Sequence, residues 1–416
     1  MQNLFYKSLL NNFGYEPTKN QLIVIGELTD FVFLKIKKHL FVLKGYAGTG
    51  KTSLVGALVK TLSVINFDSV LLAPTGRAAK VLSNYAHKPA FTIHKMIYQL
   101  QNSGDGYTRA TIKQNKFQNT VFLVDEASMI SDGGALSSRD WGESKSLLDD
   151  LMEYVYSGIN CKLILIGDTA QLPPVKLNIS PALEEDTLTY EYHKNVTNIE
   201  LDEVMRQHEN SGILANATLL RLMIQNNSTN FQFDVDFPDI IRLDDGYDIE
   251  DALVTAYDKE GVEDTAFIVR SNKRANQYNQ QIRMKIRGQE NEISAGDFVM
   301  VVKNNYFWLK ENSDAGFIAN GDICEVLKIF SIKELYGFKF AEVELKMIDY
   351  PEMQPFETVL LLDTLTSESP SLTYEESNKL YQAVKEDYAD EKSKYKQFLA
   401  IKKNIYFNAL QVKFSY

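Results

Sequence analysis

The segment Gly45-Tyr46-Ala47-Gly48-Thr49-Gly50-Lys51-Thr52 constrains this chain more than any other. It has the spacing G-x-x-x-x-G-K-[ST] and lies between a short apolar run, 41–44, and a helix-forming stretch. Glycines at these positions let backbone N–H groups turn inward around an anion, at a helix N-terminus whose dipole favours negative charge. Gly45, Gly48, Thr49, Gly50, Lys51, Thr52 and Ser53 are the expected phosphate cradle. Lys51 is expected to neutralise the outer phosphates of a nucleoside triphosphate, and Thr52 to hold Mg²⁺. The bland alternative is a chance glycine-rich turn, which the flanking strand and helix patterns argue against.

Two further segments supply what such a loop needs. Val121-Phe122-Leu123-Val124 runs into the acidic pair Asp125-Glu126, at the strand end where α/β folds bind their ligands. Asp125 is expected to order Mg²⁺ through water and Glu126 to polarise an attacking water as general base. Taken alone, the pair reads equally as a helix-capping cluster. A third apolar run ends in Gly167-Asp168-Thr169-Ala170-Gln171, followed by Leu172-Pro173-Pro174. A glutamine held by two prolines can hydrogen-bond both a γ-phosphate oxygen and the attacking water; the bland reading is a rigid surface turn.

A chain of 416 residues implies two or three domains. Residues 1–198 read as one doubly wound α/β domain, with a helix over 18–36 capped at Thr18. In it, apolar runs at 41–44, 69–73, 121–125 and 162–167 alternate with helical stretches, the pattern of a parallel sheet covered on both faces. The polar stretch 98–120 breaks this alternation and fits a β-hairpin insertion turning near Gly104–Gly106. A second α/β unit is expected over 199–292, with Thr265–Ser271 as a buried strand. Residues 293–366 alternate strands with tight turns, Asn320-Gly321 being a strong hairpin signal, and predict a small barrel-like β module. Residues 367–404 form a helical insertion, and 405–416 a return strand of the second α/β unit.

Cys161 and Cys324 are the only cysteines, so neither a disulfide framework nor a zinc site is expected, which suits a reducing, cytoplasmic compartment. No apolar run approaches the roughly 18 residues of a membrane helix, and the first residues lack a signal-peptide pattern. The expectation is a soluble chain without a membrane partner. The net charge of −11 is unevenly placed. Residues 231–264 hold twelve acidic and two basic side chains, whereas 270–310 hold eight basic and three acidic. Both blocks also read as solvated surface, yet the sum does not exclude a basic channel for a polyanion.

With these motifs in place, the chain resembles the superfamily 1 helicases, most closely the RecD-like and Dda-like 5′→3′ DNA helicases, over about residues 15 to 350. Ala73-Pro74-Thr75-Gly76-Arg77-Ala78-Ala79-Lys80 is similar to the family's motif Ia, and Thr92-Ile93-His94-Lys95 to the motif after it. The resemblance implies that Pro74, Thr75, Arg77, Lys80, Thr92 and His94 line single-stranded DNA. Val204-Met205-Arg206-Gln207 resembles motif IV, whose arginine reaches the γ-phosphate, and Gln21 stands where the family keeps an adenine-reading glutamine. Gly296-Asp297, Asn304-Asn305-Tyr306 and Ala319-Asn320-Gly321-Asp322 resemble an SH3-like module, with Asn304 and Asn305 as DNA contacts.

The implied fold is α/β: a P-loop NTPase of two RecA-like parallel-sheet domains, the second incomplete, with an inserted SH3-like β module. The implied function is an ATP-dependent, 5′→3′ DNA helicase using ATP and Mg²⁺, acting as a monomer on single strands and duplex junctions. Read from the residues alone, Arg77 and Lys80 fit a phosphate-contacting face or a solvated helix face equally, and His94 fits a satisfied structural histidine. Tyr107 is either a stacking wedge at the hairpin tip or a plain exposed aromatic. Tyr306, Phe307 and Trp308 form either a stacking platform or core filling. An RNA-directed helicase and a non-translocating ATP- and nucleic-acid-binding module are the rival readings. One departure is that no segment resembling the family's last two motifs occurs. The expectation is a shortened second motor domain, in a chain that binds ATP far better than it hydrolyses it.

Overall fold

A computed structural model describes residues 1–36, 38–102, 108–131, 146–174, 177–203, 211–305, 307–309, 313, 315, 317–369 and 371–416. The chain divides into two compact units. One comprises Met1–Pro74, Ala78–Leu100 and Ala110–Leu243; the other is Asp244–Tyr416 with residues 75–77 and 101–109.

The first unit is built on a wholly parallel sheet of β1 (His39–Gly45), β2 (Asp68–Ala73), β3 (Ala90–Thr92), β6 (Thr120–Val124), β7 (Lys162–Gly167) and β8 (Asn195–Leu201). Its strand order is β3-β2-β6-β7-β1-β8. Between β3 and β6, β4 (Tyr98–Asn102) and β5 (Thr108–Ile112) pair as a two-stranded sheet, which is the expected insertion. Side-chain alternation sends Phe41, Leu43, Leu71, Leu123 and Ile164 to one face of the parallel sheet, against α1 (Gln2–Phe13), α2 (Lys19–Phe33) and α3 (Lys51–Leu62). Leu40, Val42, Leu72, Phe122 and Leu165 face α5 (Ile93–Ile97) and α6 (Leu147–Ser157) on the other. On the first face, α2 opens on a full capping box, with Thr18 and Gln21 exchanging side-chain and backbone hydrogen bonds. The sequence reading missed α1, whose Phe5, Leu9 and Phe13 recur every four residues and are all buried.

Two expectations about the second half are corrected. Residues 265–271 are not a buried strand: they are irregular, and Ile268 is 92% exposed. Leu410–Phe414 is not a return strand of a second parallel sheet. It is β13 of a closed barrel ordered β10-β11-β12-β13-β9, with β9 (Phe298–Val301), β10 (Ile323–Leu335), β11 (Phe338–Met347) and β12 (Phe356–Leu361). β13 runs parallel to β12 and antiparallel to β9. The proposed start of a second α/β unit at residue 199 also shifts, because β8 runs through it to Leu201 in register with β1.

The physical reason for the barrel closure is a buried ion pair that gathers three segments. Arg283, beyond α10 (Asn272–Gln281), forks onto Asp297 with Nε–Oδ1 at 2.8 Å and Nη2–Oδ2 at 3.0 Å. Its guanidinium stacks on the Phe414 ring at 4.8 Å, and the Tyr416 hydroxyl donates to Asp297. From α10 itself, Asn279 Nδ2 donates to the Phe414 carbonyl at 2.6 Å. The outer barrel face, with Phe340, Val359 and Leu361, is covered by Leu380 and Val384 of α12 (Tyr374–Glu386) and Ile401 of α13 (Lys394–Lys403). The charged stretch 373–403 thus braces the barrel. Cys161 and Cys324 are free and buried, and among the described residues no helix is long and apolar enough to cross a membrane.

Removing Asp297 leaves a buried guanidinium without its partner, so Asp297→Ala is expected to cost about 3–5 kcal/mol in denaturant unfolding. A second prediction concerns Asp322, which is 1% exposed. Its Oδ2 accepts the Ala319 N–H at 2.7 Å while Oδ1 has no partner among the described residues, and burial pushes the carboxyl up to about 7. In the unfolded chain it titrates at about 4. Between these values the folded chain holds a proton that the unfolded chain has released, so stability falls as pH rises through that window. Asp322→Asn is expected to flatten this decline, read as a smaller loss of Tm between pH 5 and pH 8 than in the wild type.

Candidate nucleotide-binding site

The parallel sheet sets three loops side by side at the C-terminal ends of β6, β7 and β1. The loop after β1 carries Gly45 through Lys51. Gly48 and Gly50 adopt left-handed φ values of 81° and 88°. A Cβ on Gly50 would also lie 2.7 Å from Gln21 Nε2, and one on Gly45 would lie 2.9 Å from Thr49 Oγ1. The loop is closed internally, with the Thr49 hydroxyl donating to the Tyr46 carbonyl at 2.8 Å. Lys51 folds back over it and donates to the carbonyls of Gly45 and Tyr46, the latter at 2.9 Å. Thr52 is half-buried and Ser53 exposed in the first turn of α3.

Three carboxylates surround that ammonium. Burial lowers the Lys51 pKa, and Asp168, Asp125 and Glu126 oppose the shift, which places all three within electrostatic reach. Asp125 is raised by burial, against the Glu126 N–H that donates to its Oδ1 at 2.9 Å and against Lys51. Glu126 is raised by burial and then by repulsion from Asp125, with a hydrogen bond from Gln171 acting the other way. Its backbone sits at φ 54°, a left-handed conformation that costs a non-glycine residue about 1–3 kcal/mol and aims the side chain away from the strand line. The strain is held from behind: Ser180 Oγ lies 2.8 Å and 2.7 Å from the carbonyls of Ala127 and Ile130. Asp168 is buried and caps its own turn through the Ala170 N–H at 2.8 Å. Gln171 Oε1 is 3.4 Å from Ser128 Oγ.

The sequence-predicted residues Gly45, Gly48, Thr49, Gly50, Lys51, Thr52, Asp125, Glu126 and Gln171 are therefore brought to one place. Gln21 joins them in a way its sequence position did not announce. It is 1% exposed, its Nε2 donates to the Thr49 carbonyl at 3.0 Å, and its Oε1 accepts the Thr18 N–H at 3.0 Å. One end of the amide thus braces the loop while the other caps α2. Arg206 and Tyr107 lie outside the described residues.

Of the residues assigned to nucleic acid, Pro74 and Thr92 lie at the C-terminal ends of β2 and β3, the sheet edge that also carries the phosphate loop. Pro74 and Thr75 follow β2 half-buried, Arg77 on α4 (Gly76–Ala86) is exposed, and Lys80 is half-buried. Thr92 is the N-cap of α5, accepting the Lys95 N–H at 3.2 Å. His94 is held neutral-leaning by burial, its ring 5.7 Å from that of Tyr98. In the second unit, Asn305 Nδ2 donates to the Asn408 carbonyl at 2.9 Å and Asn304 Oδ1 accepts the Asn320 N–H at 2.7 Å, so both amides shape their own loop. Trp308 Nε1 donates to the same Asn408 carbonyl at 2.8 Å and its ring packs on the barrel core. Sequence reasoning gave no role to Asp168, the acid that follows the third apolar run, or to Tyr46, an unspecified position of the loop motif.

Residues 32–222 match the family model described as AAA domain. An uncharacterised protein of Acanthamoeba polyphaga mimivirus is 26% identical over 360 residues, covering 77% of this chain and 66% of that protein. The ATP-dependent DNA helicase dda of Enterobacteria phage T4 is 28% identical over 278 residues, 64% of this chain and 57% of that protein. The ATP-dependent RecD2 DNA helicase of Deinococcus radiodurans is 31% identical over 140 residues, 33% of this chain and 16% of that protein. The chain thus spans less than two thirds of the length of each of these relatives.

If Gln21 braces the loop, its loss is felt without any nucleotide. Gln21→Ala is expected to lower the unfolding free energy of the ligand-free chain by about 1–3 kcal/mol, the cost of an unpaired buried carbonyl and a lost cap. An unchanged denaturation midpoint would show that the amide serves only a ligand. The P-loop sheet and its convergent motifs thus stand beside a likeness to the AAA domain model over residues 32–222 and to the dda and RecD2 DNA helicases over part of their lengths.

Proposed function

We propose that this chain is an ATP-driven DNA helicase motor that moves 5′→3′ along single-stranded DNA. The observation that carries the proposal is the convergence of Lys51, Asp125, Glu126 and Gln171 around one glycine-turned phosphate loop. Lys51 leaves the loop carbonyls to pair with the β- and γ-phosphates, which replace them as acceptors. Among the described residues no three His, Cys, Asp or Glu side chains cage a metal by themselves. That donor set fits Mg²⁺, which binds through one or two protein oxygens plus substrate phosphates, here Thr52 and, through water, Asp125. Glu126, its carboxylate raised by burial, takes the proton of the attacking water. Gln171, near enough to Glu126 to favour its charged form, holds that water in line and reports the state of the γ-phosphate.

DNA as the track is supported by the likeness to the dda and RecD2 DNA helicases, and the 5′→3′ direction is what the resemblance of the motifs to the Dda-like class implies. In this reading the exposed Arg77 and the half-buried Lys80 meet backbone phosphates, which gives salt-dependent and sequence-tolerant binding. The paired strands β4 and β5 separate the duplex ahead of the motor.

The test is steady-state ATP turnover with and without single-stranded DNA, beside displacement of a labelled strand from substrates with a 5′ or a 3′ tail. Turnover stimulated by DNA and unwinding restricted to the 5′-tailed substrate are expected. Lys51→Ala is expected to abolish both, and Glu126→Gln to retain ATP binding while lowering turnover by about 10²–10⁴-fold. ATP binding with no turnover under any DNA condition would overturn the motor and leave a nucleotide-dependent DNA-binding module. Stronger stimulation by a matched RNA strand would redirect the track to RNA.

A further inference from the structure

Downstream of the sheet, α7 (Gly212–Gln225) places two side chains one turn apart on the phosphate loop. The Arg221 guanidinium carbon lies 4.8 Å from the centre of the Tyr46 ring, and Gln225 Nε2 donates to the Tyr46 hydroxyl at 2.8 Å. Tyr46 is 8% exposed and is the residue whose carbonyl holds Lys51 and Thr49. The helix is therefore fastened to the loop through the aromatic residue at its second position.

Arg221 is in an unusual state for such a place. It is half-buried, and among the described residues the only acceptor of its guanidinium is the Ala217 carbonyl of its own helix, 3.1 Å from Nε. Among the described residues no carboxylate pairs with it, and the Tyr46 residue it stacks on holds the Lys51 ammonium through its backbone carbonyl. A half-buried guanidinium with no carboxylate partner among the described residues costs free energy. A polyphosphate removes that cost, because a planar guanidinium can take two phosphate oxygens in a fork while the lysine meets the chain as a point charge.

We propose that Arg221 is a nucleotide-binding residue: stacked on Tyr46 and held in place by α7, its free edge pairs with the β/γ end of a bound nucleoside triphosphate. This rests on the reading of the Gly45–Thr52 loop as an ATP site. The β/γ end is assigned because Tyr46, on whose ring Arg221 stacks, holds Lys51 through its backbone carbonyl, and Lys51 is the loop residue that reaches those phosphates. Occupancy of the outer phosphate positions would then be transmitted to α7 through the Tyr46 stack, which makes this helix responsive to the nucleotide state.

The experiment is equilibrium binding of fluorescent ATP and ADP analogues to the full chain in the wild type, Arg221→Ala, Arg221→Lys, Tyr46→Phe and Lys51→Ala. Arg221→Ala is expected to weaken the triphosphate by about 10- to 100-fold and the diphosphate clearly less, the loss of one charge-assisted phosphate contact. Arg221→Lys is expected to recover part of the triphosphate affinity, and it keeps the test decisive if the alanine variant folds poorly. Tyr46→Phe keeps the ring under the guanidinium and is expected to leave the triphosphate-to-diphosphate ratio unchanged. Equal weakening of both nucleotides, or no change in either arginine variant, overturns the role of Arg221 while binding by the wild type and its loss in Lys51→Ala leave the ATP site standing. Failure of the wild type to bind either nucleotide overturns both.

Discussion

Adjacency of β6, β7 and β1 in one parallel sheet is the constraint on which the site depends. Parallel strands all end on the same edge, so three segments separated by scores of residues deliver their terminal side chains to one place. The loop after β1 brings the Lys51 ammonium and the strands beside it bring Asp125, Glu126 and Asp168. An antiparallel arrangement would send alternate loops to opposite edges and scatter the same residues. The sheet pairs without interruption from β2 through β6, β7 and β1 to β8, and its two faces are sealed by separate apolar clusters. The electrostatic cost of gathering these charges is therefore carried by a core that forms independently of them.

The site concentrates groups whose charges are only partly met by the protein. Lys51 is turned onto carbonyls of its own loop, and Glu126 holds a left-handed backbone braced by Ser180. Burial disfavours the charged forms of Lys51, Asp125 and Glu126 alike. In the proposed function such a set of groups is relieved by a nucleoside triphosphate, whose phosphates would meet the lysine, and by its divalent cation, which would meet the carboxylates. Arg221, half-buried on Tyr46 and without a carboxylate partner among the described residues, belongs to the same pattern of unmet charge around the loop.

The barrel unit follows a different logic. Its strands β9 and β13 are separated by more than a hundred residues of chain, and local turn chemistry cannot bring them together. The buried Arg283–Asp297 pair, its stack on Phe414 and the hydrogen bond from Asn279 do so. The two charged helices, α12 and α13, then cover the outer apolar stripe of the barrel with Leu380, Val384 and Ile401. Their charges face outward, which is why a stretch so polar in composition still packs.

What the sequence determined by itself was local and periodic. The glycine spacing of 45–52, the acidic pair closing an apolar run at 125–126 and the alternation of short apolar runs with helices needed no long-range information, because each rests on backbone geometry or burial within a few residues. The same holds for the Thr18 cap, whose partner Gln21 is three residues away. Tertiary structure alone decided what depends on distant partners. It turned the Gln21 amide onto Thr49, made Leu410–Phe414 a barrel strand and left 265–271 irregular. An apolar run such as 410–414 carries strand propensity but no address; the partner is chosen by the edge and the buried charges that it can satisfy. Arg221 and Gln225 read as ordinary polar positions of a helix until the fold lays them on Tyr46, since stacking across 175 residues of chain leaves no periodic trace in the sequence.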